Sequence, residues 1–527
     1  ATFHFLTNEQ KVMLQDSYEN QAITKGIRNE DKSKMSEMNK LRSSMFLEVE
    51  HNLLSNVDKS LFYLEAPTGS GKTNNSINLA LQLLKKHRQI NKILYVFPFN
   101  TLTTQTYQTF EKFAPKEDKT GIRLSMINSI TPIMTSDLEQ QSEESFKRSA
   151  REELLRRQMI QSSITFTSHV NFFNYLFGTS RESHLGLAHL ANSVVILDEI
   201  QSYRNEIWKH IIRFFKEYAE ILNMKIIIMS ATLPQLENLL DTEDKPVYLV
   251  PHPEKYYQNP LFKSRVEELD FSLVNATLEG DKKSVMFRLL KEKLNDIYAQ
   301  SNEKRILFEF LTKASARSFY EFLQEVYPDK TVYELTGLDS KHNREKVLSY
   351  LKEEKDGEFV NKDVLLVATQ VIEAGVDIDM DIGFKDISIL DSEEQFLGRI
   401  NRSSKRKGAK VFFFNLDRAG MVYRNDWRIE HDLSNPLLQK YLKEKNFRAF
   451  YELVINRLEQ ESKKDTRMNF SKFKSDLITV NFNKVKKTMQ LIDSDTITLF
   501  LNFEVNNTMG ETVWEEYKKL LSNTELD

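Results

Sequence analysis

Lys72 and Thr73 close the stretch APTGSGKT at residues 66–73. An apolar run, LFYL at 61–64, comes before it, and helix-like sequence, SINLALQLLKK, follows. That order predicts a strand, a phosphate-binding loop and a helix. Gly69 and Gly71 have no side chain to block an approaching phosphate. Thr68, Gly69, Ser70 and Gly71 can therefore turn backbone N–H groups toward an anion, alongside the positive end of the helix. Lys72 can reach the β- and γ-phosphates of a nucleoside triphosphate, and Thr73 can ligate magnesium. The usual loop opens with a glycine where this chain has Ala66, so the signal rests on Gly71, Lys72, Thr73 and their context.

A second group of chemical residues follows some 125 positions later in SVVILDEIQ, residues 193–201. Four apolar β-formers lead directly into Asp198 and Glu199. Carboxylates at the carboxyl edge of a parallel strand suit metal and water chemistry: Asp198 would hold magnesium through water, and Glu199 would orient and deprotonate the attacking water. KIIIM at 225–229 is a further buried strand followed by Ser230-Ala231-Thr232, whose hydroxyls can sense the carboxylate pair and relay its state. Near the end of the second half, Arg399 and Arg402 lie three apart and share a helical face. Two guanidinium groups there can neutralise charge on a transferring γ-phosphoryl group. Lys405, Arg406 and Lys407 beyond them are expected to be solvated.

Small polar side chains cluster where other strands should end. Asn100, Thr101, Thr104 and Gln105 follow KILYVFP at 92–98, Thr167 ends SITFT at 163–167, and Thr369 and Gln370 follow VLLVA at 364–368. Such groups can hydrogen-bond a sugar-phosphate backbone without reading bases; for Thr101, capping the next helix is the competing role. Gly375 and Asp377 are expected in the turn after Gln370.

These residues need two sheets to position them. Strands alternating with helices on both sides of a proline-bearing stretch (Pro246, Pro251, Pro253, Pro260) predict an α/β chain with two parallel-sheet domains. Residues 1–55 read as a helical entry segment, with Leu41, Met45, Leu47 and Leu54 along one side; Arg42 is expected on a solvated face, a contact with nucleotide being the competing role. Residues 56–245 form the first domain, which binds ATP, 246–284 a linker with an edge hairpin, 285–418 the second domain, which has no phosphate loop, and 419–527 a mostly helical accessory domain. In that last part Trp427, Phe447, Phe450 and Tyr451 are core candidates. The charged stretch 137–161 reads as a surface helix.

With 527 residues, 40% hydrophobic and 28% charged, the composition is that of a multidomain globular chain. A net charge of −3 confines any nucleic-acid surface to a local basic groove. The absence of cysteine excludes disulfides and thiolate metal sites and fits a cytoplasmic setting. Neither a membrane span nor a secretion leader is visible. The ten histidines show no metal-ligand spacing, and His431-Asp432 reads as a chance dipeptide.

Taken together, APTGSGKT, PFNTLTTQ at 98–105, LDEIQ at 197–201, SATLP at 230–234, ATQVIEAGVDID at 368–379 and QFLGRINR at 395–402 resemble a superfamily 2 helicase. More narrowly they resemble the helicase part of the helicase-nuclease of type I CRISPR systems. The resemblance implies two tandem RecA-like domains, ATP and magnesium as cofactors, and 3′ to 5′ movement on single-stranded DNA. It implies recruitment by a Cascade-type surveillance complex. It adds Gln201 to the catalytic set, Asp377 to the nucleotide-binding set and Gln395 to the coupling set with Ser230 and Thr232. The family commonly carries an N-terminal His-Asp nuclease, for which residues 1–55 leave no room. The resemblance therefore implies a helicase subunit, or part of a fused protein, working with a nuclease in cis or in trans. Another superfamily 2 motor and a non-catalytic recruitment module are the rival readings.

Overall fold

The computed structural model describes residues 5–128, 152–240 and 245–492, apart from 30, 31, 34, 278, 302, 374 and 464–467, and then residues 500, 502, 504–505 and 508–521. The charged stretch 137–161 falls outside these up to residue 151; residues 152–158 are helical.

Apolar runs without alternation become strands covered on both faces, because a parallel sheet is sandwiched by its crossover helices. In the first domain these are β1 (Leu61–Glu65), β2 (Lys92–Phe97), β3 (Leu124–Ile127), β4 (Ile164–Ser168), β5 (Ser193–Asp198), β6 (Lys225–Ser230) and β7 (Val247–Tyr248). Every residue of β1, β2, β5 and β6 is buried. The strands are all parallel, in the order β3-β4-β2-β5-β6-β1-β7. The register aligns their carboxyl ends: Glu65 lies opposite Ser230, Asp198 opposite Met229, and Phe97 opposite Ser168. One edge of the sheet thus collects the segments that follow β1, β2, β4, β5 and β6, where an open α/β sheet binds ligands.

The second domain contains β8 (Glu268–Leu273), β9 (Arg305–Glu309), β10 (Val332–Leu335), a small antiparallel ribbon of β11 (Glu354–Lys355) and β12 (Glu358–Phe359), then β13 (Val364–Ala368), β14 (Ile382–Asp386) and β15 (Lys410–Phe414). Its main sheet, again parallel throughout, runs β10-β13-β9-β14-β15-β8. Phe308, Phe384 and Phe412 stack across neighbouring strands at 4.6 and 4.8 Å, a cross-strand aromatic ladder in its core.

Among its described residues the linker holds no edge hairpin. Val247–Tyr248 extends the first sheet beside β1, and Glu268–Leu273 extends the second beside β15. Its prolines serve other ends, Pro253 capping Glu254–Tyr257 and Pro260 opening Pro260–Lys263. The entry segment is helical, as α1 (Asn8–Glu19), α2 (Ala22–Arg28) and α3 (Glu37–Ser55). On α3 the buried face is Met45, Phe46, Val49 and Leu53, whereas Leu47 is exposed. The true stripe runs through i, i+1, i+4 and i+8, which rotates the helix from its expected phase. After β15 the chain is helical, including Pro436–Glu444 and Phe447–Ser462, and buries Phe447, Phe450 and Tyr451 while Trp427 is half-buried.

Residues 490–527 form a separate unit. It carries a short antiparallel pair, Glu504–Val505 with Thr508–Met509, and the helix Gly510–Leu521; Phe500 stacks on Trp514 at 4.7 Å.

Candidate active site

β1 delivers the phosphate loop and α4 (Lys72–Lys86) leaves it. Gly69 and Gly71 have φ of +86° and +91°, a conformation that strains any other residue and lets the chain wrap an anion. Three features fit a triphosphate. The buried Ser70 hydroxyl has no partner, the space beside the Gly71 Cα is open to 4 Å, and Lys72 Nζ rests on the Ala66 carbonyl at 3.1 Å, a bond it can exchange for a phosphate oxygen.

Asp198 is buried at the end of β5 and accepts from the Glu199 N–H at 3.0 Å. Burial, reinforced by the Glu199 charge and opposed by Lys72, pushes its carboxyl up to about 8. Glu199 adopts a left-handed backbone, φ +51°, and its N–H bonds the Met229 carbonyl at 3.0 Å. This bend turns its carboxylate out of the strand direction. Gln201 donates to Glu199 Oε2, and Gln395 from the second domain donates to the same oxygen at 3.2 Å.

From there a buried relay runs outward. Ser230 Oγ donates to Gln201 Oε1 at 2.6 Å, the Thr232 N–H donates to Ser230 Oγ at 2.9 Å, and Thr232 Oγ1 donates to Asp391 at 2.5 Å. Asp391 heads the helix Leu390–Leu397, which ends with Gln395 nearby. Arg428 binds Asp391 at 2.9 Å and Asp426 at 2.6 Å, and Tyr451 donates to Asp391. The segment after β15 thus braces both domains. It makes one further contact to each: Lys445 pairs with Glu394 of the second domain at 2.5 Å, and Arg448 reaches Glu65, at the end of β1, at 3.5 Å.

The two arginines of the second domain differ. Arg399 is buried; its Nε donates to the Ile372 carbonyl at 2.9 Å and Nη2 to that of Glu373. Burial and the neighbouring Arg402 charge weaken its hold on its proton. Arg399 is therefore committed to fixing the loop before Gly375 instead of being presented to a phosphate. Arg402 keeps 30% side-chain exposure and pairs with the exposed Asp377 at 2.8 Å. Arg406 is not solvated as expected: it pairs with Asp379 and, at 2.8 Å, with Asp381. Lys405 and Lys407 are exposed.

Two glycines let the domains meet. A Cβ on Gly398 would come within 2.6 Å of Thr68 Cγ2, and one on Gly375, already at φ +72°, within 2.7 Å of the Leu102 nitrogen and closer still to Thr101. Either clash would part the two edges.

The residues expected to grip a nucleic-acid backbone separate into two groups. Asn100, Thr101, Thr104 and Gln105 are half-buried on α5 (Asn100–Glu111), and the Thr104 hydroxyl donates to the Asn100 carbonyl at 3.1 Å. Thr167 is fully buried and donates to the Ile127 carbonyl at 2.9 Å, because β4 runs one residue past it. Thr369 is buried, and Gln370 donates to the Leu311 carbonyl at 3.1 Å. In this structure Thr167 and Thr369 are thus buried, whereas Gln370 is half-buried with its amide engaged by the protein.

Arg42, expected in solvent, places Nε 2.9 Å from the Gly69 carbonyl. Arg265, from the linker, donates to the Thr68 carbonyl at 3.2 Å. Neither lies in a recognisable motif; Arg42 on a helix just before the loop carried a faint signal, and Arg265 none.

Two parts of the chain match family models: residues 47–239 match DEAD/DEAH box helicase, and residues 303–405 match CRISPR-associated nuclease/helicase Cas3, C-terminal. The chain is 27% identical over 357 residues to the CRISPR-associated nuclease/helicase Cas3 of Methanothermobacter thermautotrophicus, covering 64% of this chain and 38% of that protein. It is 25% identical over 435 residues to that of Haloferax volcanii, covering 67% and 46%. The chain thus spans less than half the length of these curated relatives. Crystal structures of T. fusca Cas3 share the fold, with a TM-score of 0.59 at 14% identity over 87% of this chain and 59% of that one. The ADP-bound form gives 0.60 at 15% identity over 86% and 56%.

Proposed function

We propose, taking the chain as a Cas3-like helicase of superfamily 2, that it is an ATP-driven motor on single-stranded DNA. In this reading it unwinds target DNA in the 3′ to 5′ direction during type I CRISPR interference. A Cascade-type surveillance complex recruits it, and a His-Asp nuclease in cis or in trans cuts the strand. The observation that carries the reading is the meeting of the first sheet's carboxyl edge with the second domain: Gln395 bonds Glu199 at 3.2 Å, and Gly398 packs on Thr68. A nucleotide on the loop would touch both domains, so its hydrolysis would change how they hold each other.

Thr68, Ser70, Gly71, Lys72 and Thr73 would hold the triphosphate, with Asp377 and Arg402 at its second-domain side. Magnesium fits the site: the buried Asp198 carboxyl lacks a compensating cation beyond Lys72, and Thr73 follows Lys72 in the first turn of α4. Among the described residues no cluster of three or more His, Asp or Glu could hold a metal, which suits an ion that takes its other oxygens from phosphates and water. When bound, that ion would neutralise phosphate charge. Glu199, one oxygen fixed by Gln201 and Gln395, would take the water proton with the other. The relay from Gln201 to Asp391 would pass the change to the brace behind both domains. Asn100, Thr101, Thr104 and Gln105 would contact the DNA backbone. Among the described residues no helix is long and apolar enough to cross a membrane, and a cytoplasmic location suits the DNA substrate.

The test is ATP hydrolysis with single-stranded DNA or RNA of equal length, for the wild type, Lys72→Ala and Glu199→Gln. Stimulation by DNA that both variants lose, with folding intact, supports the reading. Stimulation by RNA alone points to an RNA motor, and no hydrolysis at all to a recruitment module.

A further inference from the structure

Arg265 lies in the linker between the two sheets, outside every motif, and only 5% of its surface is exposed. Its Nη1 donates to the Thr68 carbonyl at 3.2 Å and lies 3.6 Å from where a Cβ on Gly69 would be. Its Nε is buried without a partner. The nearby carboxylates are engaged elsewhere, Glu394 by Lys445 and Asp379 by Arg406 and the backbone N–H groups of Arg402 and Ser403. Its charged neighbours are Glu394 and Asp379 on one side of the balance and Arg402 and Arg42 on the other. A buried guanidinium with an unpaired donor is costly unless an anion completes the set.

The backbone of Arg265 is anchored as well. Its carbonyl accepts from Asn401 Nδ2 at 2.9 Å, between Arg399 and Arg402 in sequence. One residue therefore joins the second domain through its main chain and the phosphate loop through its side chain. The Thr68–Gly69 part of the loop is also the part that faces the second domain, since Gly398 packs on Thr68. A phosphate at this face is the one both domains share, the terminal one.

We propose that Arg265 is a nucleotide-binding residue, a linker-borne guanidinium that contacts the terminal phosphate of ATP and ties the linker to occupancy of the loop. This rests on the reading of the loop as an ATP site. Loss of one charge-assisted contact weakens binding about tenfold. Arg265→Met should therefore bind a non-hydrolysable ATP analogue about tenfold more weakly in calorimetric titration, with a smaller change for ADP. Without nucleotide its melting temperature should be unchanged or higher, because the variant loses a buried unpaired donor; a structural arginine would lower it. Arg265→Lys, which keeps the charge and volume closer to native, should show the same ATP-selective weakening and serves if the Met variant fails to fold. Undiminished binding of the analogue by either folded variant, with wild-type binding intact, overturns the proposal alone. A wild-type chain that binds neither nucleotide overturns it together with the ATP-site reading.

Discussion

The two halves of the site are built on opposite principles. The first-domain half holds groups with unmet chemistry: an unpartnered Ser70 hydroxyl, Lys72 resting on a backbone carbonyl, and a buried Asp198 short of a cation. The second-domain half is already satisfied, with Arg399 bound to two carbonyls and Arg402 to Asp377. Reactivity is stored in the first domain, and the second supplies geometry plus one exchangeable arginine. A salt bridge to an exposed carboxylate is weak enough to be traded for a phosphate, whereas two buried carbonyl bonds are not.

The contrast can be broken by substitutions on either side. Glu199→Gln should lower stimulated hydrolysis about 10³-fold, within the range of a lost general base, with nucleotide affinity kept; a steady-state assay retaining most of the turnover would place the base elsewhere. Arg399→Met should act mainly on stability, losing about 2–3 kcal/mol in urea unfolding because two buried carbonyls lose a charged donor. Unfolding at the wild-type midpoint would show that those bonds carry no load. Gln395→Ala, which cuts the bond between the halves, should slow hydrolysis about tenfold and leave ATP affinity alone; an affinity loss instead would make it a binding residue.

The smallest effect concerns pH. With its folded pKa raised, Asp198 favours the native state fully only below the ordinary carboxylate pKa of about 3.9. That contribution fades as pH rises toward about 8. Asp198→Asn should therefore raise the melting temperature more at pH 8 than at pH 5 in metal-free buffer. An equal shift at both would mean that the carboxyl is ionised throughout.

Local pattern made the frame of the two sheets legible. Unalternating apolar runs marked β1, β2, β5, β6 and β13, and the residues just after them carry most of the proposed site. What escaped was non-local. IGFKD, which becomes β14, is interrupted by Lys385 and Asp386, and KVFFF, which becomes β15, follows a run of charge, and the linker's edge strands are fixed by partners far away in sequence. Arg399 and Arg402 read from the sequence as one helical face, but the helix ends at Leu397 and both lie in the turns after it, where packing against residues 372–373 separates a buried clamp from an exchangeable charge. Arg265 and the brace through Arg428, Lys445 and Arg448 depend wholly on contacts across long sequence separations.

The central claim is the proposal that Arg402, and not Arg399, completes the site from the second domain. Single-turnover hydrolysis of prebound ATP in the presence of single-stranded DNA tests it directly. Arg402→Ala should bind ATP nearly normally and hydrolyse it about 10³-fold more slowly, while folded Arg399→Met keeps most of the rate. Wild-type rates in Arg402→Ala, or the large defect in Arg399→Met alone, would contradict the account.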